Sequence, residues 1–237
     1  MSDTNQQPHQ TAICAAIIDL DGTMLDTVPD FHIALNRMRA ELSLAPIAAQ
    51  QVTLMVGKGS EHLIGGVLAL DFDEAGVEQH FADAMAAYQR HYLAINGDHS
   101  VFYPGVIEGL DAMKAQGLRL ACVTNKPIAF ATPLLAQKGL AHYFEVVYGG
   151  DSLPRKKPDP MPLLQVCQDF NLPPSRVVAI GDSSNDAEAA RAAGCHVLNV
   201  PYGYNHGRPI QESDSDGIVT TLLEAAAWIR THNKTAD

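Results

Sequence analysis

The sequence has few basic residues, and this shortage limits the partners that the protein can have. Lys and Arg number 16 against 27 Asp and Glu, which gives a formal net charge of −11 at pH 7 over 237 residues. Nucleic acids and anionic membrane surfaces attract basic proteins, so we expect neither as a partner. A small cationic pocket is still compatible with this overall charge.

Long apolar runs and closely spaced cysteines are also missing. No segment has the ~20 consecutive apolar residues of a membrane-spanning helix. Residues 1–10 lack the basic start and apolar centre of a secretory signal, so we expect a flexible tail. The cysteines are scattered without metal-ligand spacing, at Cys14, Cys122, Cys167 and Cys195. We therefore expect reduced thiols that pack in the interior of a cytoplasmic protein.

Short apolar runs are abundant and predict the fold class. They lie at residues 13–18, 118–124, 144–149, 176–181 and 196–200. None alternates cleanly between apolar and polar, and continuous apolar runs suit strands that are buried on both faces. Helical patterns separate the last four runs. We predict a doubly wound α/β domain with a mainly parallel, Rossmann-like sheet.

A long interval without a convincing strand separates the first run from the second. Its apolar residues recur at helical spacing in two segments, with Phe31, Leu35, Met38 and Leu42 on one face and Val77, Phe81, Met85, Tyr88 and Tyr92 on another. We predict a helical subdomain at residues 28–101, inserted into an α/β catalytic core made of residues 11–27 and 102–232.

Polar residues follow successive predicted strands, where open parallel sheets bind their ligands. These residues are Asp19 and Asp21, then Thr124 and Asn125, then Lys157, and finally Asp182 and Asp186. Clustered carboxylates repel one another by about 1–4 kcal/mol per pair at ~4 Å, so they stay ionised together only around a cation. Oxygen ligands without histidine favour Mg²⁺, which also keeps a substrate phosphate.

This cluster favours phosphoryl transfer. Asp19 is the candidate nucleophile, which would form an aspartyl-phosphate, and Asp21 is the candidate general acid and base. Thr124 and Lys157 are the candidate ligands of the phosphate oxygens. Each motif alone also has an ordinary explanation, such as a helix cap or a solvated lysine. The stretch at residues 19–26 resembles a calcium loop but lacks its glycine position and closing glutamate.

Four motifs resemble those of the haloacid dehalogenase superfamily of phosphatases. They are "DLDGTMLDT" at residues 19–27, "VTN" at 123–125, "KKPDP" at 156–160 and "GDSSNDAEAARAAG" at 181–194. The resemblance implies one Mg²⁺, held by the Asp19 carboxylate, the Asp21 backbone carbonyl and Asp182, with Asp186 beside it. It implies that Thr124, Asn125 and Lys157 bind phosphate. The inserted helices would be a mobile cap.

Two further stretches, "GGDSLPRKKPDPMPLL" and "YGYNHG", resemble the bacterial branch of this superfamily that hydrolyses 2-phosphoglycolate. The resemblance therefore implies a small phosphate ester as substrate. Ile18 stands where phenylalanine is common, which should alter only packing. Asp21 favours phosphoryl transfer, because the branch that attacks carbon lacks an acid at this position.

Two alternatives remain open from the sequence. A phosphatase or mutase of sugar phosphates, muramic acid 6-phosphate included, would use the same core motifs, since specificity lies in the cap. A phospho-accepting signalling module also combines acids, a threonine and a lysine. Such receiver domains are shorter, lack an inserted cap and carry the phosphorylated aspartate at the third strand.

Lys58 is the candidate cap residue for recognition of the substrate. It lies between Gly57 and Gly59 in a predicted loop, and glycines allow a backbone to approach a ligand closely. Its amine could pair with the carboxylate of phosphoglycolate. The alternative is a solvated lysine in a turn between two helices.

Overall fold

A parallel sheet lies at the centre of residues 11–236, the part of the chain that the computed structural model describes. Its strands are β1 (Ala15–Ile18), β4 (Arg119–Val123), β5 (Val146–Tyr148), β6 (Val177–Gly181), β7 (His196–Asn199) and β8 (Gly217–Ile218). They are ordered β5-β4-β1-β6-β7-β8, and each neighbouring pair is parallel. The doubly wound α/β prediction is confirmed. The predicted tail at residues 1–10 lies outside the described residues.

Nine α-helices occur among the described residues. They are α1 (Val28–Glu41), α2 (Ala49–Met55), α3 (Ser60–Leu68), α4 (Glu74–Leu93), α5 (Val106–Ala115), α6 (Ile128–Gln137), α7 (Met161–Asp169), α8 (Ser184–Ala193) and α9 (Leu222–Ala236). None of the helices in this part of the chain combines the length and the apolar composition that a bilayer crossing requires.

Both faces of the sheet are covered, as continuous apolar strands require. Successive strand residues point to opposite faces. In β1, Ala16 and Ile18 belong to one apolar cluster, whereas Ala15 and Ile17 belong to another. All four side chains are buried. The strand therefore has no solvated face, which explains why its sequence does not alternate.

A second, two-stranded antiparallel sheet joins the inserted helices to the core. It pairs β2 (Leu25–Asp26) with β3 (Val101–Phe102). These strands and β8 have only two residues each, too few for a periodicity that sequence analysis could detect. Asp30 strengthens the same junction, because its buried carboxylate accepts hydrogen bonds from the backbone of the returning segment.

Helices α1 to α4 surround an apolar core of their own. The predicted helical faces contribute to it, with Phe31, Leu35, Met38, Tyr88 and Tyr92 all buried. Phe130 and Tyr204 from the α/β part complete this cluster, so the inserted helices pack directly on the sheet domain. The division at residues 28–101 stays a prediction, and we call these residues the cap.

Candidate active site

The carboxyl ends of the strands bring the predicted residues to one edge of the sheet. Asp19 directly follows β1, Thr124 follows β4 and Asp182 follows β6. Lys157 comes from the loop between β5 and α7. The described part of the chain has a cavity at this edge, lined by all four of these side chains and by Asp21, Asn125 and Asp186.

The Lys157 ammonium links two acids of the cluster, Asp19 and Asp186. Its Nζ lies 2.8 Å from Asp19 Oδ1 and 2.6 Å from Asp186 Oδ1. Nζ also donates to the backbone oxygen of Val123 at 2.6 Å, so three acceptors use its three protons. All three charged groups are buried. Lys157 therefore fixes the orientation of the Asp19 carboxylate.

Asp182 is held by donors other than Lys157. Its Oδ1 accepts from the Thr23 hydroxyl at 2.9 Å, and its Oδ2 accepts from the backbone N–H of Tyr204 at 2.6 Å. Asp186 has both oxygens occupied, one by Lys157 and the other by the hydroxyl and N–H of Ser183. Asp186 thus accepts three hydrogen bonds from protein groups, whereas Asp182 accepts two.

Burial disfavours the ionised forms of these acids. It raises the pKa of Asp19 to about 7, with repulsion from Asp186 adding to the rise and Lys157 opposing it. Burial likewise raises the pKa of Asp182, and Asp186 and Asp19 add to that rise. One oxygen from each of Asp19, Asp182 and Asp186 lies within 4.8 Å of the others. The acids therefore carry more negative charge than Lys157 alone offsets.

The charges in the site show how large that deficit is. Four buried carboxylates (Asp19, Asp21, Asp182 and Asp186) face two buried ammonium groups (Lys126 and Lys157). With all four acids ionised the formal charge is −2, which one divalent cation would neutralise. The donor set contains only oxygen, and hard cations prefer such ligands. The residues present thus fit a divalent metal such as Mg²⁺.

Gly22 allows the turn that follows the two acids of the first motif. Its φ is +88°, and a Cβ built there would lie 2.3 Å from Asp182 Oδ2. A side chain would therefore suffer the left-handed backbone penalty and also displace the Asp182 carboxylate. Gly139 has a comparable φ of +70°, but a Cβ there would have nothing within 4 Å. It offers a matched control.

We expect Gly22→Ala to lose activity as well as stability. Both Gly22→Ala and Gly139→Ala should cost about 1–2 kcal/mol for the left-handed backbone. Gly22→Ala should cost roughly 1–3 kcal/mol more because of the close contact with Asp182. Urea unfolding and steady-state kinetics of the two variants measure these effects. Equal stabilities and equal activities of the two variants would contradict the close contact between a side chain at position 22 and Asp182.

Lys126 is a second buried lysine of the site, and its pairing was not predicted. Its Nζ lies 3.0 Å and 3.3 Å from the two oxygens of Asp21. The ammonium also lies over two cap rings, 4.3 Å from the centroid of Phe31 and 4.7 Å from that of Tyr92. Burial lowers the pKa of Lys126, and Asp21 opposes this decrease. Lys126 thus connects the predicted acid/base to the cap.

The second motif also supplies a free hydroxyl proton and a contact to the cap. Thr124 Oγ1 accepts from the backbone N–H of Lys126 at 3.2 Å, which leaves its own O–H available to a ligand. The Asn125 amide donates to the backbone oxygens of Lys157 at 2.9 Å and of Gly57, in the cap, at 3.0 Å. Both residues line the cavity; Asn125 holds the loop geometry, and Thr124 offers its hydroxyl proton.

The cap covers the cavity through the loop between α2 and α3. Asn185 donates to Gly57 O at 3.2 Å, alongside the bond from Asn125. Gly57 and Gly59 line the cavity, but Lys58 between them is exposed and does not line it. The predicted role of Lys58 is therefore not supported by its position in this conformation, and it stays a prediction.

Several residues of the site were missed by sequence reasoning. Ser183 and Asn185 lie inside the fourth motif, Lys126 directly follows "VTN", and Tyr204 lies inside "YGYNHG". The motifs did indicate the segments of the chain in which these residues lie. Ser183 pairs within its own motif, with Asp186. The partners of the others could not be inferred, because they are distant in sequence, such as Asp21 for Lys126 or Gly57 for Asn185.

Comparison with known proteins gives one family over most of the chain. Residues 13–194 match the haloacid dehalogenase-like hydrolases. The phosphoglycolate phosphatase of Thiobacillus denitrificans is 47% identical over 217 residues, which cover 92% of this chain and 96% of that protein. The phosphoglycolate phosphatase of Nitrosospira multiformis is 49% identical over 218 residues, with the same two coverages.

A solved structure has the same architecture. It is described as a predicted phosphoglycolate phosphatase from Haemophilus somnus 129pt and is 32% identical to this chain. The match has a TM-score of 0.86 and covers 92% of this chain and 98% of the other. The similarity therefore extends over the sheet, the site edge and the inserted helices.

Proposed function

The chain belongs to the haloacid dehalogenase-like hydrolases, and from this premise we propose that it hydrolyses 2-phosphoglycolate to glycolate and inorganic phosphate. The observation that supports this proposal most directly is the position of Asp19. This carboxylate is buried, oriented by Lys157 and close to Asp182, and Asp21 opens onto the same cavity. The choice of phosphoglycolate is supported by the relatives at 47% and 49% identity, both of which are phosphoglycolate phosphatases.

The first chemical step is attack on phosphorus by Asp19. One carboxylate oxygen forms a bond to phosphorus while the bond from phosphorus to the glycolate oxygen breaks. Lys157 keeps the Asp19 carboxylate in place through its 2.8 Å bond. The free O–H of Thr124 donates to a phosphate oxygen. Asp21 protonates the departing oxygen, so that glycolate leaves with a neutral hydroxyl group rather than as an alkoxide.

The second step releases phosphate. Asp21, now ionised, takes a proton from a water molecule, and that water attacks the phosphorus of the aspartyl-phosphate. The bond from phosphorus to Asp19 breaks, and the carboxylate is restored. Lys126 lies 3.0 Å from Asp21 and stabilises its ionised form in this step. Protons and charges are thereby balanced over the cycle.

The acids of the site would hold Mg²⁺. We propose that the carboxylates of Asp19 and Asp182 and the backbone carbonyl of Asp21 are its protein ligands, with Asp186 beside them. When bound, the ion supplies positive charge next to the nucleophile and the phosphate oxygens. Asp186 then serves mainly to hold Lys157 and the start of α8, since its oxygens already accept bonds from Lys157 and Ser183.

The cap, residues 28–101, is proposed to close over the substrate and exclude water. Phe31, Leu63 and Tyr88 from the cap and Phe130 from the core give the cavity an apolar wall. Such a wall suits a substrate with a small carbon chain and offers few partners to the hydroxyls of a sugar. We also propose a cytoplasmic location, on the basis of the scattered cysteines, each of which has a free thiol.

A panel of phosphate esters tests the substrate. We expect kcat/KM with Mg²⁺ to be at least about tenfold higher for 2-phosphoglycolate than for hexose phosphates or muramic acid 6-phosphate, a difference of about 1.4 kcal/mol in transition-state binding. Equal or better turnover of a sugar phosphate would replace phosphoglycolate by the sugar-phosphate alternative. A stable aspartyl-phosphate without phosphate release would favour the signalling alternative.

A further inference from the structure

We propose that Lys126 recognises the carboxylate of the substrate and thereby determines specificity. This inference rests on the proposed function, because it concerns how that site distinguishes phosphoglycolate from uncharged esters. Lys126 and Lys157 are the cationic side chains that line the cavity in the described part of the chain. The question is which of the two is free to bind a second anion.

Lys157 has no N–H group left to donate to a substrate carboxylate. Its three N–H groups are used by Asp19, Asp186 and the backbone oxygen of Val123. Lys126 bonds one carboxylate, that of Asp21, and its ammonium otherwise faces aromatic rings. An ammonium has three donors, so at least one remains available for an acceptor in the cavity.

The position of Lys126 suits the length of phosphoglycolate. A general acid must lie within about 2.6–3.2 Å of the oxygen that it protonates. Lys126 Nζ is 3.0 Å from Asp21 Oδ1. The ammonium is therefore within roughly 6 Å of the leaving oxygen. In phosphoglycolate one methylene carbon separates that oxygen from the carboxylate, so the carboxylate lies in the zone that Lys126 reaches.

The surroundings strengthen such a pair. Phe31, Tyr88 and Phe130 line the cavity with apolar surface, and Lys126 is 4% exposed. A charged hydrogen bond is stronger where water is excluded. Lys58, by contrast, is exposed on the outside of the cap loop, where solvent and salt would screen it. Lys126 is thus better placed than Lys58 to bind the carboxylate.

The test compares two substrates that differ only in the tail. We would measure kcat/KM for 2-phosphoglycolate and for 2-hydroxyethyl phosphate, whose tail is neutral, in the wild type and in Lys126→Met. The ratio of the two values should fall about 30-fold or more in Lys126→Met, since a buried charge pair is lost for one substrate only. Lys58→Met is the matched control and should leave the ratio unchanged.

Other outcomes would overturn the proposal. Equal losses for both substrates would mean that Lys126 serves only Asp21. A fall of the ratio in Lys58→Met, without one in Lys126→Met, would assign recognition to Lys58. A wild type that does not prefer phosphoglycolate over the neutral ester would contradict the proposed function itself, whatever the variants do.

A second measurement covers the case in which Lys126→Met does not fold. Asp21→Asn combined with Lys126→Met removes both members of the buried pair and leaves no charge unpaired. In the presence of phosphate and Mg²⁺, the further addition of glycolate should raise the melting temperature of Asp21→Asn but not that of the double variant. Equal stabilisation of both proteins by glycolate would contradict a carboxylate site at Lys126.

Discussion

Replacement of Asp19 by asparagine should lower kcat by about 10⁴-fold or more, because the amide cannot form the aspartyl-phosphate. The fold should survive, since asparagine has nearly the same shape and also relieves the repulsion among the buried acids. Lys157 would lose one charged partner but keep Asp186, at 2.6 Å, and Val123 O. Steady-state kinetics and thermal unfolding of the purified variant measure both parts.

Asp21→Asn is the matched control for this substitution. It removes the acid/base but not the nucleophile, so kcat should fall by about 10²–10⁴-fold. The loss in kcat/KM, which reports formation of the aspartyl-phosphate, should be smaller for an ester such as p-nitrophenyl phosphate, because p-nitrophenolate departs without a proton. If Asp19→Asn retained more than a few per cent of the wild-type activity, the covalent mechanism would be wrong.

Removal of divalent metal should abolish turnover, and Mg²⁺ should restore it. The reason is the formal charge of −2 that the buried acids and lysines leave in the site. Ca²⁺ should inhibit, because its larger and looser ligand shell does not keep the geometry that phosphoryl transfer needs. Activity after exhaustive chelation, and after addition of each ion, measures this dependence.

Mg²⁺ should also stabilise the folded protein independently of turnover. An ion at one hundred times its dissociation constant adds about 2.7 kcal/mol. For a chain of this size that corresponds to a rise of roughly 5–10 °C in the melting temperature. Asp182→Asn should abolish most of the rise. Full activity in the chelated enzyme, or an equal rise in Asp182→Asn, would count against this metal site.

The sheet and the edge that carries the site could be predicted from the sequence because they depend on local patterns. Strands such as residues 13–18 are continuous apolar runs, and parallel strands necessarily bring Asp19, Thr124 and Asp182 to one edge. The five predicted strands all occur in the structure, each shortened by one to three residues at its ends.

The remaining features depend on contacts between distant parts of the chain. Lys126 pairs with Asp21 across 105 positions, and no local pattern indicates such a partner. The exposure of Lys58 follows from how the loop between α2 and α3 lies on the core, where Gly57 rather than Lys58 meets Asn125. The short strands β2 and β3 form because they face each other at the base of the cap, which their own residues do not reveal.

The most direct test of the mechanism is to trap the phosphorylated enzyme. Asp21→Asn would be mixed with p-nitrophenyl phosphate and Mg²⁺, quenched in acid, digested and analysed by mass spectrometry. The leaving group needs no proton, whereas hydrolysis of the intermediate needs the missing base, so the phosphoenzyme should accumulate. We predict one added phosphoryl group on Asp19. A protein without that group, or with it on another residue, would contradict Asp19 as the nucleophile.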